Sequence, residues 1–552
     1  VNYGFIIDNR KCIGCHACTV ACKAEHDVPI GVNRTWVKYI EKGTYPNTRR
    51  IFSVLRCNHC DDAPCVKICP VGALFNREDG IVDFNNERCI GCKSCIQSCP
   101  YDAIYIDPET QTAAKCNYCA HRVDLGLRPA CVNICPEQAI IAGDMEDPES
   151  EISRLLSREL VQTRKVDKGT IPKLYYINGD VSSLNPLAAY PSSDYQQVSQ
   201  AAGVGHFARY AEKRIHETDQ EDLLKQLAEN PGSYTEESPQ KYGVCVPMTG
   251  NPNKNLAKAW SIVREESRRV HDAPVKGVIW GWEVPAYLTA KAVGSGVVFT
   301  ATFASLFGLA HVSTTIGKIA SGIGLLFLML TTAFLVKDLD RPIRFLYVLL
   351  RPQFSSWLTR GGMILQAFGA VLTVYIAAQH FEFHSIIRIA EWAAFILSVP
   401  VAVYTAFLLA QAKGRDFWQS PILPIHMIAH MIMAGAATFG VLINFVETTY
   451  DWESYIRIML LIGIAFNMNV LVAELTIAHP TAESKLVAKM ISRGRFSVLF
   501  YTGSVLIGNL IPVALILTGE NMLLPIAGAF SIIGIYVTEH IWIKGPQLVP
   551  LR

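Results

Sequence analysis

Sixteen of the chain's 17 cysteines fall into four runs of four. The runs are Cys12, Cys15, Cys18 and Cys22; Cys57, Cys60, Cys65 and Cys69; Cys89, Cys92, Cys95 and Cys99; and Cys116, Cys119, Cys131 and Cys135. The third, CIGCKSCIQSCP, keeps the x2-x2-x3 spacing and closing proline that iron–sulfur ligation uses. The others lengthen one gap or lack the proline. Three closely spaced thiolates wrap three corners of an iron–sulfur cube. The fourth cysteine, expected to start a short helix, reaches the neighbouring cluster instead. Such motifs work in pairs, so four of them predict four [4Fe–4S] clusters. Pro70, Pro100 and Pro136 follow the last cysteine of three runs, where they turn the chain and remove a backbone donor. Zinc sites need paired C-x2-C units and do not suit a triplet plus one. Disulfides of an oxidising compartment would not call for this spacing either. His16, His59 and His121 lie between the cysteines and are expected as surface or supporting groups, not ligands. Cys245 stands alone and reads as a small, semi-buried residue.

These cysteines occupy one half of a divided chain. The 552 residues are half hydrophobic and carry a net charge of +2. That balance excludes the concentrated basic excess of a nucleic-acid binder. Every cysteine precedes residue 275, and none follows Trp280. The opening VNYGFIIDNRK lacks the apolar core of a cleavable signal. Residues 1–142 read as a cluster domain and 143–279 as a linker and packing segment. The linker includes an expected polar helix over 206–230 and Pro/Ser/Gly-rich loops. No nucleophile–base pair, P-loop or dinucleotide fingerprint stands out beside the cysteines.

Residues 280–552 supply eight apolar runs, each near the 20 or so residues that cross a bilayer. They are approximately 285–310, 316–336, 361–378, 389–410, 421–445, 458–477, 496–517 and 522–543. The predicted fold is therefore an α+β ferredoxin-like domain followed by an all-α bundle of eight membrane helices. An even count puts both ends of the bundle on one face. The loops after spans two, four and six, with the tail, give that face thirteen Lys and Arg against three opposite. Without the loop after span two the margin is eight against three. The positive-inside rule then expects the cysteines on the cytoplasmic side of a bacterial or archaeal cytoplasmic membrane.

CIGCHACTVACKAEHDVPIGVNRTW and RCNHCDDAPCVKICPVGAL resemble the four-cluster electron-transfer subunit of the molybdopterin oxidoreductase family. The resemblance covers residues 3–142. It implies that motif one shares clusters with motif four, and motif two with motif three. Some relatives hold a three-iron cluster where a second-motif cysteine is replaced; this chain keeps the cysteine, so four cubanes are expected. DLDRPIRF and VYTAFLLAQAKGRDFWQSPILP resemble motifs of the NrfD/PsrC family of quinone-reactive, eight-helix membrane subunits, over nearly all of 280–545. Ala406 replaces a usual glycine, and Arg415-Asp416 stand where a proline is usual. This resemblance assigns Asp338 to a quinone-site carboxylate and Tyr404 to a ring contact. Arg341 and Arg344 would organise the polar seam around them.

Ionisable groups inside spans are costly and default to functional candidates. Lys291 qualifies, with snorkelling to the nearby face as the equal alternative. Glu474 is a candidate for proton passage, with a neutral hydrogen-bonded carboxyl as its alternative. Glu539 and His540 are weaker candidates. His426 and His430, four residues apart on one helix face, cannot clamp opposite faces of one haem, so haem is disfavoured and a hydrogen-bonding role preferred. The expected function is an electron-transfer and anchor subunit. It would join a separate catalytic subunit of molybdopterin type to the membrane pool of quinone or quinol, either menaquinone or ubiquinone. Two alternatives stand beside it: a hydrogenase or other dehydrogenase as partner, and a redox-driven ion-translocating subunit.

Overall fold

The computed structural model describes residues 1–43, 48–191, 267–274, 276–445 and 449–552. Cys245 and the polar helix expected over 206–230 lie outside these residues. The chain forms two units. One comprises Val1–Ile279 with Ala412–Arg415 and Gln547–Arg552; the other comprises Trp280–Gln411 and Asp416–Pro546.

In the first unit, YGFIID forms the inner strand Tyr3–Asp8 of a four-stranded sheet. Phe5, Ile6 and Ile7 are all buried, as suits an apolar run covered on both faces. The strand runs antiparallel to Ile140–Asp144, with Phe5 opposite Ala142, and parallel to Leu174–Ile177, with Phe5 opposite Leu174. Val161–Gln162 completes the sheet. Ile6, Ile141, Ile152 and Ile177 make a small core on it. The covering helix Glu151–Arg158 starts at Ser150, whose hydroxyl accepts from Ser153 N at 3.1 Å. A second sheet orders Tyr190–Pro191, Ser267–His271, Thr35–Lys42 and Arg49–Arg56, with Trp36 opposite Leu55. Residues 168–191, part of the stretch read from sequence as a linker and packing segment, thus supply strands to both sheets.

The cysteines lie on short helices and the turns before them. Cys18, Cys65, Cys95 and Cys131 fall in the first turn of Ala17–Glu25, Pro64–Ile68, Ser94–Ser98 and Ala130–Asn133. Cys69 and Cys99 end their helices, Cys22 lies within its helix and Cys135 follows its own. The helix therefore starts at the third cysteine, which corrects the expectation that it starts at the fourth. The physical reason is the x3 gap: four residues advance about one turn, 5.4 Å, and carry the fourth thiol away from the first three.

Among the described residues, eight helices of the second unit are long and apolar enough to cross a membrane. They are Glu283–Phe307, Thr314–Lys337, Trp357–His380, His384–Gln411, Leu423–Leu442, Tyr450–Thr476, Ser497–Leu517 and Asn521–Gln547. Ser313, Ser356 and Thr449 cap the second, third and sixth with side-chain oxygens. The first and fifth are the inner helices, with 72% of their apolar windows buried against 22% for the second. Gly296 and Gly435 let these two touch: a Cβ on either would strike the backbone of the other helix. Small residues are how membrane helices reach such closeness. Val297, Ala301, Met433, Ala437, Leu460 and Ile464 fill the core around that crossing. The seventh helix is a π-helix over Phe500–Leu510, where Asn509 Nδ2 donates to Ser504 O five residues back at 2.7 Å. A further helix, Ala482–Ser492, links the sixth and seventh spans.

Candidate functional site

The four cysteine runs interleave. Cys12, Cys15 and Cys18 line one pocket with Cys135 from the fourth run. Cys89, Cys92 and Cys95 line another with Cys69 from the second. Burial, and after it the neighbours Cys57, Cys65 and Cys99, push the Cys60 thiol well up. Burial, then chiefly Cys116 and Cys131, does the same to Cys22. Each group is thus three thiols of one run and the fourth of another. Four thiols, buried in two of the groups and partly so in the others, crowd this way once ionised only if cations offset their charge, which is what an iron–sulfur cubane supplies. Backbone donors already aim at the sulfurs. Ala73 N reaches Cys69 Sγ and Ala139 N reaches Cys135 Sγ, both at 3.2 Å. Gly91 N and Ala113 N both reach Cys89 Sγ at 3.4 Å.

Two neighbours of the cysteines escaped the sequence reading. Arg56 is 1% exposed, donates from Nη1 to Cys131 Sγ at 3.0 Å and lies 4.6 Å from the Phe5 ring centroid. Its Nε and Nη2 have no hydrogen-bond partner among the described residues. A buried guanidinium with spare donors beside four thiols fits an anionic cluster better than an empty pocket. Its adjacency to Cys57 was the available signal. His26 Nε2 lies 3.2 Å from Cys119 Sγ, and burial pushes its pKa down to about 4, so it is neutral at pH 7. Of the histidines between the motifs, His59 is buried and accepts from Val82 N at 3.2 Å. His121 is exposed and pairs with Glu25 at 2.7 Å, and His16 packs beside Tyr39 and His271.

Arg415, noted as a departure from the family motif, is buried within the cysteine unit. It donates to Gln97 Oε1 at 3.0 Å and to Val549 O at 2.7 Å. Gly414 precedes it, and a Cβ there would crowd the Gln97 and Cys99 carbonyls at 2.5 and 3.0 Å.

In the membrane unit, Lys291 does not snorkel. It is 3% exposed, and its Nζ donates to Ala402 O at 2.8 Å and to Thr405 Oγ1. The same ammonium sits 4.9 Å from the Tyr404 ring centroid. Tyr404 is buried, and its hydroxyl has no partner among the described residues. Gly361 leaves room for that ring, which a Cβ would strike. Tyr287, one turn before Lys291 and also unforeseen, is buried within electrostatic reach of Tyr404, Asp338 and Glu539. Its i, i+4 spacing from Lys291 was the only signal. Asp338 ends the second span as its C-cap and is half-buried. Arg341, also half-buried, caps a short turn of helix at Pro342–Arg344, which the half-buried Arg344 ends.

Glu474 belongs to a second polar cluster, which adjoins this one through Glu539. Its Oε2 is 2.6 Å from His426 Nδ1 and accepts from Trp542 Nε1 at 2.9 Å. His430 Nδ1 meets Glu539 Oε1 at 2.8 Å, and the two imidazole centroids are 4.3 Å apart. His540 is half-buried beside Tyr536. Glu539, weak by sequence, is thus fully inside this cluster.

Residues 272–548 match the family model described as Polysulphide reductase, NrfD. Residues 11–74 and 48–145 match two models described as 4Fe-4S dicluster domain. The B subunit of tetrathionate reductase from Salmonella typhimurium is 46% identical over 190 residues, 34% of this chain and 76% of its own. Protein NrfC of Escherichia coli is 44% identical over 180 residues, 32% of this chain and 81% of its own. The B component of polysulfide reductase from Wolinella succinogenes is 42% identical over 180 residues, 32% of this chain and 93% of its own. The cysteine runs account for these matches, and the eight apolar helices account for the membrane match. The protein belongs to the NrfD family of polysulphide reductase membrane proteins, with an iron–sulfur electron-transfer module of the NrfC and tetrathionate reductase kind fused ahead of it.

Proposed function

We propose that this chain relays electrons between a separate catalytic subunit of molybdopterin type and quinone or quinol bound in its membrane unit. The observation that carries the proposal is the buried set Lys291, Tyr404 and Tyr287 near Asp338, in the same chain as four interleaved cysteine groups. Cys12, Cys15, Cys18 and Cys135 would hold one [4Fe–4S] cluster, and Cys22, Cys116, Cys119 and Cys131 a second. Cys57, Cys60, Cys65 and Cys99 would hold a third, and Cys69, Cys89, Cys92 and Cys95 a fourth. When bound, these clusters supply one-electron transfer without moving protons. Protons must therefore come from side chains where the two-electron, two-proton carrier reacts. Tyr404 offers a hydroxyl with no competing partner among the described residues, positioned through its ring by Lys291 and Gly361. Asp338, at the end of its helix, can exchange a proton with solvent. Arg341 and Arg344 lie close along the chain and would add positive charge to the polar approach around it. The basic loops after spans two, four and six support a cytoplasmic-membrane location with the cysteine unit on the cytoplasmic side.

The proposal is tested on the intact complex purified from its native membrane. Mass spectrometry should find a molybdenum- or tungsten-containing partner, and the complex should oxidise a menaquinol or ubiquinol analogue, or reduce the quinone. A nickel-containing partner would point to a hydrogenase. The absence of any quinone-linked turnover would reject the proposal.

Arg56 makes a separate prediction. Its buried positive charge favours the reduced cluster beside Cys131. Arg56→Gln should lower that midpoint potential by on the order of 100 mV. Redox titration followed by electron paramagnetic resonance reads the shift, and an unmoved potential would remove Arg56 from the relay.

A second reading rests on Glu474, held inside the bundle by His426 and Trp542. Such a carboxyl suits coupled proton movement across the membrane. Proteoliposomes that acidify no further than quinone chemistry requires would dismiss it.

A further inference from the structure

Resting on the cluster assignment above, we propose that Lys115 is the counterpart of Arg56: a buried cation that raises the reduction potential of the cluster held by Cys57, Cys60, Cys65 and Cys99. An internal repeat points to it. The second run opens with RCNHC at 56–60 and the fourth with KCNYC at 115–119, so each first cysteine follows a basic residue and precedes an asparagine. The next position is left-handed in both, with φ 44° at His59 and 63° at Tyr118. The two rings meet edge to face at 5.5 Å, so the repeated segments lie against each other. Lys11 and Arg88 precede the first cysteines of the other two runs, but both are exposed. Of the four basic residues only Arg56 and Lys115 are buried, at 1% and 0% exposure.

A solvated surface accounts for Lys11 and Arg88 but not for the buried pair. Lys115 Nζ donates to Cys116 O at 2.9 Å and to Val82 O, and lies 5.9 Å from the Phe84 ring centroid. These partners are neutral, and no carboxylate pairs with Lys115 among the described residues. A buried ammonium held by dipoles alone is costly, and a nearby anion offsets that cost. Val82 fixes the ammonium in place, since its N–H donates to His59 Nδ1 at 3.2 Å while its carbonyl takes Lys115. Burial, then Cys99 and Cys57, push the Cys65 thiol up, and Lys115 opposes them. Burial pushes the Cys116 thiol up, and Arg56 opposes it. The service is reciprocal: the arginine of the second run acts on the fourth, and the lysine of the fourth acts on the second. Arg56 does so partly by its bond to Cys131 Sγ at 3.0 Å, whereas Lys115 acts through charge. Reduction adds one negative charge to a cluster, so a fixed cation nearby favours the reduced form.

The test is a redox titration of the full-length complex, followed by electron paramagnetic resonance, with iron counted per chain. Lys115→Met should lower the midpoint of one cluster and leave the iron content unchanged. Arg56→Gln should lower the midpoint of a different cluster. Cys65→Ser identifies the first signal by altering it, and Cys116→Ser identifies the second. Lys115→Arg keeps the charge and should keep the midpoint. Four unmoved midpoints in Lys115→Met would overturn the proposal, as would a shift confined to the signal that Cys116→Ser alters. Lys115→Gln, which keeps a donor for Val82 O, is the second variant. Loss of iron from both Lys115→Met and Lys115→Gln would make Lys115 a residue of assembly and would also overturn its role in the potential. Iron in the unmodified complex is counted independently of any midpoint. Too little of it for four clusters rejects the cluster assignment, whereas a full count with unmoved midpoints rejects only the role of Lys115.

Discussion

Cys12→Ser combined with Cys135→Ser should cost the chain about four irons, one cluster's worth. Cys119→Ser combined with Cys135→Ser should cost about eight. The difference follows from the interleaving: Cys135 shares a pocket with Cys12, Cys15 and Cys18, although it belongs to the run containing Cys119. If each run served its own cluster, the two losses would be reversed. Elemental analysis of iron per chain, with spin counting of the reduced clusters, separates the outcomes. A serine that retains its cluster as a weaker ligand would shrink both losses without inverting their order; alanine at the same positions removes that ambiguity.

Asp338→Asn with Tyr404→Phe should lower quinone-linked turnover by roughly 10²–10⁴-fold, the usual range for losing positioned proton donors. Iron content and electron transfer to a soluble dye should be unchanged, because neither residue belongs to the cysteine unit. Tyr404→Phe removes a buried hydroxyl that has no partner among the described residues, so its structural cost is small. Normal quinone turnover in the double variant would sink the site. Lys291→Met gives a graded comparison. It keeps most of the side-chain volume but loses the bond to Ala402 and the charge 4.9 Å from the Tyr404 ring centroid. A fall smaller than that of the double variant is expected, since Lys291 acts through Tyr404.

The sequence alone determined the kind of protein this is. Cysteine spacing is a local, covalent property, and the x2-x2-x3 rhythm survives any tertiary arrangement. Bilayer crossing depends on the length and mean hydropathy of a run, and both can be counted along the chain. Hence the ferredoxin-like half, the eight spans and the membership of both families were legible before any coordinate. Helix starts were less legible. The third cysteine rather than the fourth opens each short helix, because turn geometry over three residues, not residue type, sets the boundary.

Tertiary structure decided how distant side chains meet. Lys291 offered equal arguments for snorkelling and for burial, and the choice depended on a carbonyl, Ala402 O, 111 residues away. Arg56 precedes Cys57 in sequence yet serves Cys131 in space. The sequence offers Glu474 as a proton-passage or hydrogen-bonded carboxyl and Glu539 as a weaker candidate, without naming a partner for either; neighbouring helices give each a histidine at 2.6 and 2.8 Å. Electrostatic and hydrogen-bond partnerships inside a bundle depend on helix rotation to within one residue. Apolar packing such as the Gly296–Gly435 crossing sets that rotation, and no pattern along one helix records it.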